Sequence, residues 1–419
     1  MNKLDEFLQW MQKNNFFLSS KISITNSQQS NYGLIAIDHI EKDEVIFKIP
    51  RKSLLSTNNS PLYEKLLSED VIKNSKWASL ILCIFHELFL ADNSTWKIYL
   101  DLFPNFDNLK LPMFWDDEEM KLLNHTKLES AIAEDNKNIN RDFQEIIIPF
   151  IRKYPEYFNQ NVSKDLYKFY VAFVMAYSFT ETNVVDDENE ELMTCMVPMA
   201  DVLNHTSLNN AHLMFEEELV MIATKSIEKG EEIFNTYGEL SNNQLLHMYG
   251  FTLPFDDNKD DFVELTFADL TESDLSSDYF SKIKALGKIV PELLSVIVGN
   301  TGFLNTEELA MIIHALSMPD GDFQQFCEDL SSDDSWQEEN EEVEMLADQL
   351  DSFETVKTIP IIHRNILNVL VSKQYEMKKK ALEDLQDSKP NSPSPKLFVT
   401  ILLSSHVQIL ENYLRIIQL

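Results

Sequence analysis

The chain is poor in basic residues, with 35 Lys and Arg against 69 Asp and Glu, which gives a formal net charge of −34 at pH 7. A surface of that sign repels duplex DNA and anionic membranes and attracts basic molecules. We therefore expect neither a nucleic-acid nor a membrane partner. If the protein acts on another protein, its charge favours a basic one.

Cysteine and glycine are also scarce. The three cysteines are Cys83, Cys195 and Cys327. They are too few and too scattered for a disulfide framework or a zinc cluster, which is typical of a reducing compartment, and we expect no bound metal. Among eight glycines, Gly287-Lys288 lacks the preceding glycine of a phosphate-binding loop, and His86-Glu87 lacks the second histidine of a zinc helix. Nucleotide-loop and zinc-helix chemistry are excluded.

Long hydrophobic runs are missing as well. The longest, Leu80 to Phe85, is far shorter than the ~20 residues that a membrane span needs. The first 15 residues carry acidic side chains, and apolar residues recur there at helical spacing, namely Leu4, Phe7, Leu8 and Met11. This pattern predicts an amphipathic docking helix rather than a signal peptide, so we expect a soluble intracellular protein.

The first half of the chain changes periodicity twice. Residues 31–50 alternate with period two, which predicts strands. From residue 60 to about 182 the period is helical, ending in a continuous apolar stripe from Leu166 to Tyr177. The acidic run Asp186 to Glu191 predicts a solvated loop.

Strand pattern returns at Met193 to Pro198, and residues 212–227 predict a hairpin that turns at residues 216–218. After Phe255 the chain is helical in pattern to its end, with interruptions at residues 331–351 and 387–396. A small β core that is split by a helical insertion explains this order with the fewest assumptions.

One polar cluster stands out between residues 197 and 251. It contains Asn204-His205, Gly230-Glu231-Glu232, Tyr237-Gly238 and Tyr249 in that order, and Asn31-Tyr32-Gly33 precedes it. Taken singly, each piece also fits a turn or a packed aromatic residue. Their order and spacing together favour a functional site.

This ordered set resembles the SET domain, whose signature has an early Gly-x-Gly-like turn, Asn-His, Gly-Glu-Glu, Tyr-Gly and a further aromatic residue. Asn31 stands where the family has its first glycine, and asparagine tolerates left-handed backbone better than other non-glycine residues. The helical insert, with segments such as Met113-Phe114-Trp115, resembles the branch that contains the Rubisco large-subunit methyltransferase. The likeness runs from about residue 24 to 254; beyond it, only helical character matches.

The resemblance implies an α+β fold. A SET β-core at 22–255, interrupted by a helical insert at about 60–190, follows an N-terminal helix at 1–21. An all-α C-terminal domain at 256–419 would be similar to the substrate-binding domain of the Rubisco methyltransferase branch.

The resemblance also implies a protein-lysine N-methyltransferase that uses S-adenosylmethionine, with Tyr237 as the catalytic residue that orients the reacting groups. The implied cofactor contacts are Asn31, Tyr32, Gly33, Tyr177, Asn204, His205 and Tyr249. The implied substrate contacts are Trp115, Ser178, Thr180 and Tyr237. On sequence alone, core packing explains Tyr177 and Trp115 equally well. No metal is implied, because Cys327 stands alone after the domain.

Two other functions stay open: an acidic SET-fold adaptor without catalysis, and methyl transfer to protein histidine. The resemblance further suggests monomethylation of non-histone proteins of the transcription-factor or ribosomal-protein class, and a nuclear location with a cytoplasmic pool. The acidic runs at 186–191 and 331–351 either steer lysine-rich segments toward the site or keep the protein soluble.

Overall fold

The computed structural model describes residues 2–25, 32–102, 109–186, 189–331, 341–385 and 393–418. The α+β fold that the sequence predicts is confirmed, and the chain divides into two compact units. The first unit comprises residues 1–120, 127–239 and 244–250, and the second comprises 121–126, 240–243 and 251–419. The domain limits drawn from the sequence at 21 and 255 stay a prediction.

Within the described residues, the strands of the first unit form three antiparallel sheets. They are β1 (Phe17–Leu18), β2 (Ile22–Thr25), β3 (Gly33–Ala36), β4 (Val45–Pro50), β5 (Leu55–Ser56), β6 (Ser178–Asp186), β7 (Asn189–Met196), β8 (Ala211–Phe215), β9 (Glu218–Ala223) and β10 (Glu232–Ile233). The sheet orders are β1-β4-β9-β8, β10-β3-β2 and β5-β7-β6. The predicted hairpin at 212–227 is confirmed as β8 and β9.

The predicted strands within 31–50 are confirmed as β3 and β4, which lie in different sheets. β4 is a central strand, and its apolar residues meet those of β9 in register, with Phe47 opposite Met221 and Ile49 opposite Leu219. All four side chains are fully buried. Burial of apolar surface contributes about 25 cal/mol per Å² and stabilises this sheet. The site is built on elements that lie next to the sheet.

Helices fill the insert and flank the sheets. They are α1 (Lys3–Lys13), α2 (Tyr63–Ser68), α3 (Val71–Asn74), α4 (Lys76–Leu90), α5 (Lys97–Leu100), α6 (Asp117–Met120), α7 (Leu128–Asp142), α8 (Ile148–Lys153), α9 (Lys164–Tyr177) and α10 (Asn242–Tyr249). The docking helix predicted at the N-terminus is α1, whose Phe7, Trp10 and Met11 are buried. It ends at Lys13, within the 15 residues for which the helix is predicted, and strand β1 follows it inside the segment drawn at 1–21.

The predicted helical insert is wrong at its end. α9 stops at Tyr177, and residues 178–186 form β6, which pairs with β7. Its partner β7 begins in the segment predicted as a solvated loop at 186–191, where residues 186 and 189–191 are strand and 187–188 lie outside the described residues. β7 continues to Met196, which confirms most of the strand predicted at 193–198. A run rich in Thr and Val is compatible with a helix and with a strand, and only pairing with β7 makes it a strand.

The second unit is helical, as predicted, with one two-stranded antiparallel sheet that the sequence analysis did not anticipate. Its elements are β11 (Val263–Thr266), α11 (Ser277–Ile289), β12 (Ser295–Val298), α12 (Thr306–Ser317), α13 (Asp320–Ser331), α14 (Glu341–Leu350), α15 (Phe353–Val356), α16 (Ile361–Leu385) and α17 (Pro395–Gln418). Phe303, Phe353 and Tyr413 meet edge to face at ring-centroid distances of 5.3–5.9 Å in its core.

The interruptions predicted in the C-terminal third are partly helical. Most of the acidic stretch 331–351 that the structure describes forms α14, and residues 332–340 lie outside the described part of the chain. The proline-containing interruption at 387–396 falls mostly outside it too, and its last residues begin α17. Acidic residues disfavour a buried surface but not a helix. Composition alone therefore predicted an interruption where α14 forms.

On length and composition, α17 could cross a membrane. A buried helix in the core of a soluble protein passes the same test, and α17 buries Leu402, Leu410 and Tyr413 completely. The helix is therefore weak support for a membrane span.

Candidate active site

The predicted Asn-His pair lies at the end of an irregular turn that follows β7. Met199 has a φ of 83°, in the left-handed region that non-glycine residues rarely enter, and residues 200–202 form a single 3₁₀ turn. The chain then runs beside Asn235. The Asn235 N–H donates to the Asn204 carbonyl at 3.0 Å, and His205 and Asn235 form an isolated parallel β-bridge. This crossing brings the Asn-His segment to Tyr237.

Tyr237 is fixed by both its backbone and its side chain. Its N–H donates to His205 Nδ1 at 3.0 Å, and its hydroxyl donates to the Leu203 carbonyl at 2.9 Å. Its ring is stacked 5.1 Å from the His205 ring and lies 4.7 Å from the Tyr249 ring, measured between centroids. Three aromatic rings therefore form one row, with Tyr237 in the middle.

The row is electrically neutral at physiological pH. Burial raises the pKa of Tyr237 above its ordinary range, and the neighbouring Tyr177 and Tyr249 act in the same direction. Burial likewise raises the pKa of Tyr249 to about 12 and that of Tyr177, with help from Asp201, to about 12. It lowers the pKa of His205 to about 4. Because Nδ1 of His205 accepts a hydrogen bond, its proton is on Nε2.

A buried carboxyl lies in the same region. The Tyr99 hydroxyl donates to Asp201 Oδ2 at 2.5 Å, while Oδ1 is shielded from solvent and has no hydrogen-bond partner within the described residues. Burial raises the pKa of Asp201 to about 8, although Tyr99 and the nearby backbone oppose the shift. Asp201 therefore titrates close to physiological pH, and its charge acts on both Tyr177 and Tyr237.

β10 brings the early turn to the Asn-His segment. Asn204 Nδ2 donates to Glu232 Oε1 at 2.6 Å, and Glu232 begins β10. β10 pairs with β3 in the register Ile233 opposite Leu34, so the next position along β3 is Gly33, where the strand begins. Tyr32 and Gly33 thus border the Asn204 side of the site. Asn31, predicted to touch the cofactor, lies outside the described residues.

The predicted substrate contacts occupy two elements of the first unit. Trp115 follows a 3₁₀ turn and donates from Nε1 to the Lys110 carbonyl at 3.1 Å. Ser178 and Thr180 share one face of β6, where Ser178 follows Tyr177 directly and Thr180 is exposed. The structure places Ser178 beside the site through Tyr177, whereas within the described residues neither Trp115 nor Thr180 makes a hydrogen bond or ring contact with Tyr237.

β6 is anchored by an ion pair. Arg51 donates to both carboxylate oxygens of Glu181, at 2.8 and 2.7 Å, and from Nε to the Glu216 carbonyl at 2.6 Å. Glu181 is buried, whereas the Arg51 side chain is 37% exposed, so solvent still screens the pair from the side of the guanidinium. One guanidinium therefore fixes β6 against the turn of the β8–β9 hairpin.

Sequence analysis missed two members of the site. Asp201 stands only three residues before Asn204, so the polar cluster contained the signal, but nothing local marked it as buried. Tyr99 is 102 residues from its partner Asp201 and carried no signal. The predicted Tyr177, Asn204, His205, Tyr237 and Tyr249 lie in one region, and their individual roles stay predictions.

Comparisons with known proteins agree with the resemblance found in the sequence. The SET domain family model matches residues 31–238. The chain is 36% identical over 358 residues to N-lysine methyltransferase setd6 of Xenopus laevis, covering 80% of this chain and 77% of the relative. It is 36% identical over 330 residues to N-lysine methyltransferase SETD6 of Homo sapiens, covering 74% and 69%.

Solved structures show the same fold. The SET domain of LSMT, in a crystal structure with lysine and AdoHcy, aligns with 99% of this chain and 91% of its own at a TM-score of 0.64 and 18% identity. The predicted likeness to SET-domain enzymes of the Rubisco methyltransferase branch is confirmed. The motifs of this chain also resemble SET domain-containing protein 6 within that branch, and this narrower likeness is confirmed as well. The chain belongs to the SETD6 family of SET-domain N-lysine methyltransferases.

Proposed function

We propose that this protein transfers a methyl group from S-adenosylmethionine to lysine side chains of non-histone proteins and stops at monomethyllysine. The observation that carries the proposal is the fixed position of Tyr237. Its hydroxyl and its backbone are held by two separate partners, and its ring lies between His205 and Tyr249. Such a phenol can orient reacting groups without moving itself.

The chemistry of the surrounding residues fits S-adenosylmethionine. An adenine ring needs peptide-like partners and flat apolar faces, and a sulfonium is attracted by aromatic faces. The Asn204-His205 segment offers amide and imidazole groups, and Tyr249 offers a ring face. These residues, with Tyr32 and Gly33 at the neighbouring strand, would hold the cofactor, which supplies a methyl group on a positively charged sulfur.

Tyr237 orients the acceptor amine rather than deprotonating it. Its pKa is raised by burial, so the hydroxyl keeps its proton and donates it to the Leu203 carbonyl. The remaining lone pairs of the oxygen can accept an N–H from the amine. The amine must be neutral when it reacts, and desolvation between aromatic rings favours the neutral form by lowering the pKa of the lysine.

The ring spacing supports monomethylation. The Tyr237 ring centroid lies 4.7 Å from that of Tyr249 and 5.1 Å from that of His205, so the Tyr237 ring is packed between its neighbours and cannot move aside to make room. An amine that already carries one methyl group needs that room to turn its lone pair. Mass spectrometry of the product under excess cofactor distinguishes a single added methyl group from two.

The charge supports a basic acceptor protein. Several exposed acidic residues of the second unit make no ion pair within the described residues, among them Glu307, Glu308, Glu344 and Asp348. Steering by such charges acts on encounter and is screened beyond a Debye length of ~10 Å at 0.1 M salt. Added salt should lower kcat/KM steeply and leave kcat unchanged. Equal kcat/KM at low and high salt would assign the acids to solubility.

Labelling tests the proposal as a whole. The protein is incubated with methyl-labelled S-adenosylmethionine and a cell extract, and the labelled residues are mapped, with Tyr237→Phe as the control. Monomethyllysine in non-histone proteins of the transcription-factor or ribosomal-protein class supports the proposal, and methylhistidine overturns it. Binding of cofactor and basic proteins without transfer of a methyl group indicates the adaptor.

The proposal includes a nuclear location with a cytoplasmic pool, which microscopy of the tagged protein tests.

A further inference from the structure

Residues 109–115, here called the Trp115 segment, form a compact element of the first unit. Leu109, Leu111 and Met113 are buried, whereas Phe114 is exposed. The Trp115 indole N–H donates to the Lys110 carbonyl at 3.1 Å and closes the segment on itself. The position of the Trp115 ring therefore depends on where the Lys110 backbone lies.

Helix α9 holds this segment from one side. Lys168 donates from Nζ to the Met113 carbonyl at 2.7 Å, and the same ammonium lies 5.3 Å from the centroid of the Phe114 ring. The side chain is half-buried, and burial lowers its pKa. Nine residues later the same helix ends at Tyr177. One rigid element thus carries both a clamp on the segment and a residue of the site.

The end of helix α10 holds the segment from the other side. Gly250, with a φ of 77°, directly follows Tyr249, and a Cβ atom there would lie 3.2 Å from both the carbonyl carbon and oxygen of Lys110. It would also lie 3.4 Å from the Leu111 nitrogen. These neighbours are backbone atoms, which cannot move aside as a flexible side chain can. The absence of a side chain at Gly250 lets α10 approach the Trp115 segment this closely.

We propose that Gly250 and Lys168 are positioning residues that set recognition of the acceptor, because together they fix the Trp115 segment against the two helices that end in Tyr177 and Tyr249. The inference rests on the proposed function and on the substrate contact that the sequence predicts for Trp115. Gly250 acts through the Lys110 carbonyl and Lys168 acts through the Met113 carbonyl. Neither residue touches the reacting atoms in this scheme.

Gly230 provides a matched control. It has a φ of 90°, so Gly230→Ala introduces the same kind of left-handed strain as Gly250→Ala, but nothing lies within 4 Å of the added Cβ. The kinetic probe is a peptide around the lysine that the labelling experiment maps. We expect Gly250→Ala to raise KM for this peptide about tenfold over Gly230→Ala, with kcat and the Kd for S-adenosylmethionine within about twofold, because only the segment is displaced.

Two further measurements keep the test independent of turnover and of folding. The fluorescence of Trp115 is obtained as the difference between each protein and the same protein with Trp115→Phe. An added soluble quencher should reduce this fluorescence more strongly in Gly250→Ala than in the parent, and not in Gly230→Ala. Lys168→Met should raise KM as Gly250→Ala does, and Lys168→Arg should restore it, because the guanidinium keeps the donor and the charge.

The outcomes separate the two proposals. A parent protein that transfers no methyl group overturns the proposed function. An active parent in which Gly250→Ala matches Gly230→Ala in KM and in quenching overturns the positioning role, as does equal KM in Lys168→Met and Lys168→Arg. A loss of cofactor affinity that equals the rise in KM also overturns it, since Gly250 would then act through Tyr249.

Discussion

The two units bury a carboxyl group in opposite ways. In the first unit, the side chain that bonds Asp201 is Tyr99, and Oδ1 has no partner within the described residues. In the second unit, Asp261 Oδ1 accepts from the backbone of Asn242 and Phe262, and Oδ2 accepts from the Asn242 amide and the Ser405 hydroxyl. The acceptor sites of Asp261 are all used, which stabilises the fold, whereas Asp201 Oδ1 is a buried oxygen with unused capacity to accept a hydrogen bond.

The backbone shows the same contrast. In the described part of the first unit six non-glycine residues have positive φ, among them Met199 beside the site, and in that of the second unit His125 alone does. Strained backbone persists only where the surroundings impose it, so tertiary contacts enforce more irregular backbone in the first unit. The comparison assigns chemistry to the irregular unit and packing to the regular one. The predictions below test this assignment.

The largest effect is expected from Tyr237→Phe. Removal of the hydroxyl that we propose orients the amine should lower kcat by on the order of 10² or more, and loss of its hydrogen bond to the Leu203 carbonyl should cost about 1 kcal/mol of stability. Tyr413→Phe removes the same atom from the second unit, where the hydroxyl donates to Asn368 Oδ1 at 2.8 Å. That variant should keep kcat and lose about 1 kcal/mol of stability. Parallel kinetics and thermal unfolding check both, and a Tyr237→Phe variant within a few-fold of the parent would refute the catalytic role.

A smaller effect is expected from Asn204→Ala. A lost buried hydrogen bond that leaves its partner unpaired costs about 1–3 kcal/mol, so the affinity for S-adenosylmethionine should fall about ten- to hundredfold. The control is Asn258→Ala in the second unit, where the amide is fully buried and donates to the Leu240 carbonyl. It should lower Tm without changing cofactor affinity. Calorimetry that gives the same Kd for parent and Asn204→Ala would remove Asn204 from the site.

The smallest effect concerns the pH dependence of stability. The pKa of Asp201 rises from 3.8 to about 8 on folding, so the folded state binds the proton more tightly, and stability falls as pH rises from about 4 to 8. His205, with its pKa lowered to about 4, acts with the opposite sign below 6.5. Between pH 6.5 and 8, Asp201→Asn should therefore gain about 1 kcal/mol per pH unit relative to the parent.

Asp261→Asn should behave differently. The new amide faces donors from Asn242 and Ser405 with its own N–H group, so this variant should lose stability relative to the parent at every pH in that range. Denaturant titrations at pH 6.5, 7.2 and 8 measure both variants. If Asp201→Asn and Asp261→Asn gave parallel profiles, the distinction between the two buried carboxyls would be lost.

Local patterns in the sequence determined much of this protein. The order of Asn204-His205, Tyr237-Gly238 and Tyr249 is a property of the chain itself, and so are the apolar stripe of α9 and the alternation of β8 and β9. Each depends on residues within a few positions of one another, where helical or strand periodicity is legible. These patterns were sufficient for the α+β fold and the family.

Tertiary structure alone decided the rest. Asp201 became a buried acid because Tyr99, 102 residues away, folds over it, and β6 became a strand because β7 supplied its partner. The Trp115 segment is held by Lys168, 55 residues beyond Met113. Burial, hydrogen bonding and the pKa shifts they cause depend on groups that are distant in the chain, and residue identity carries no record of which distant group arrives.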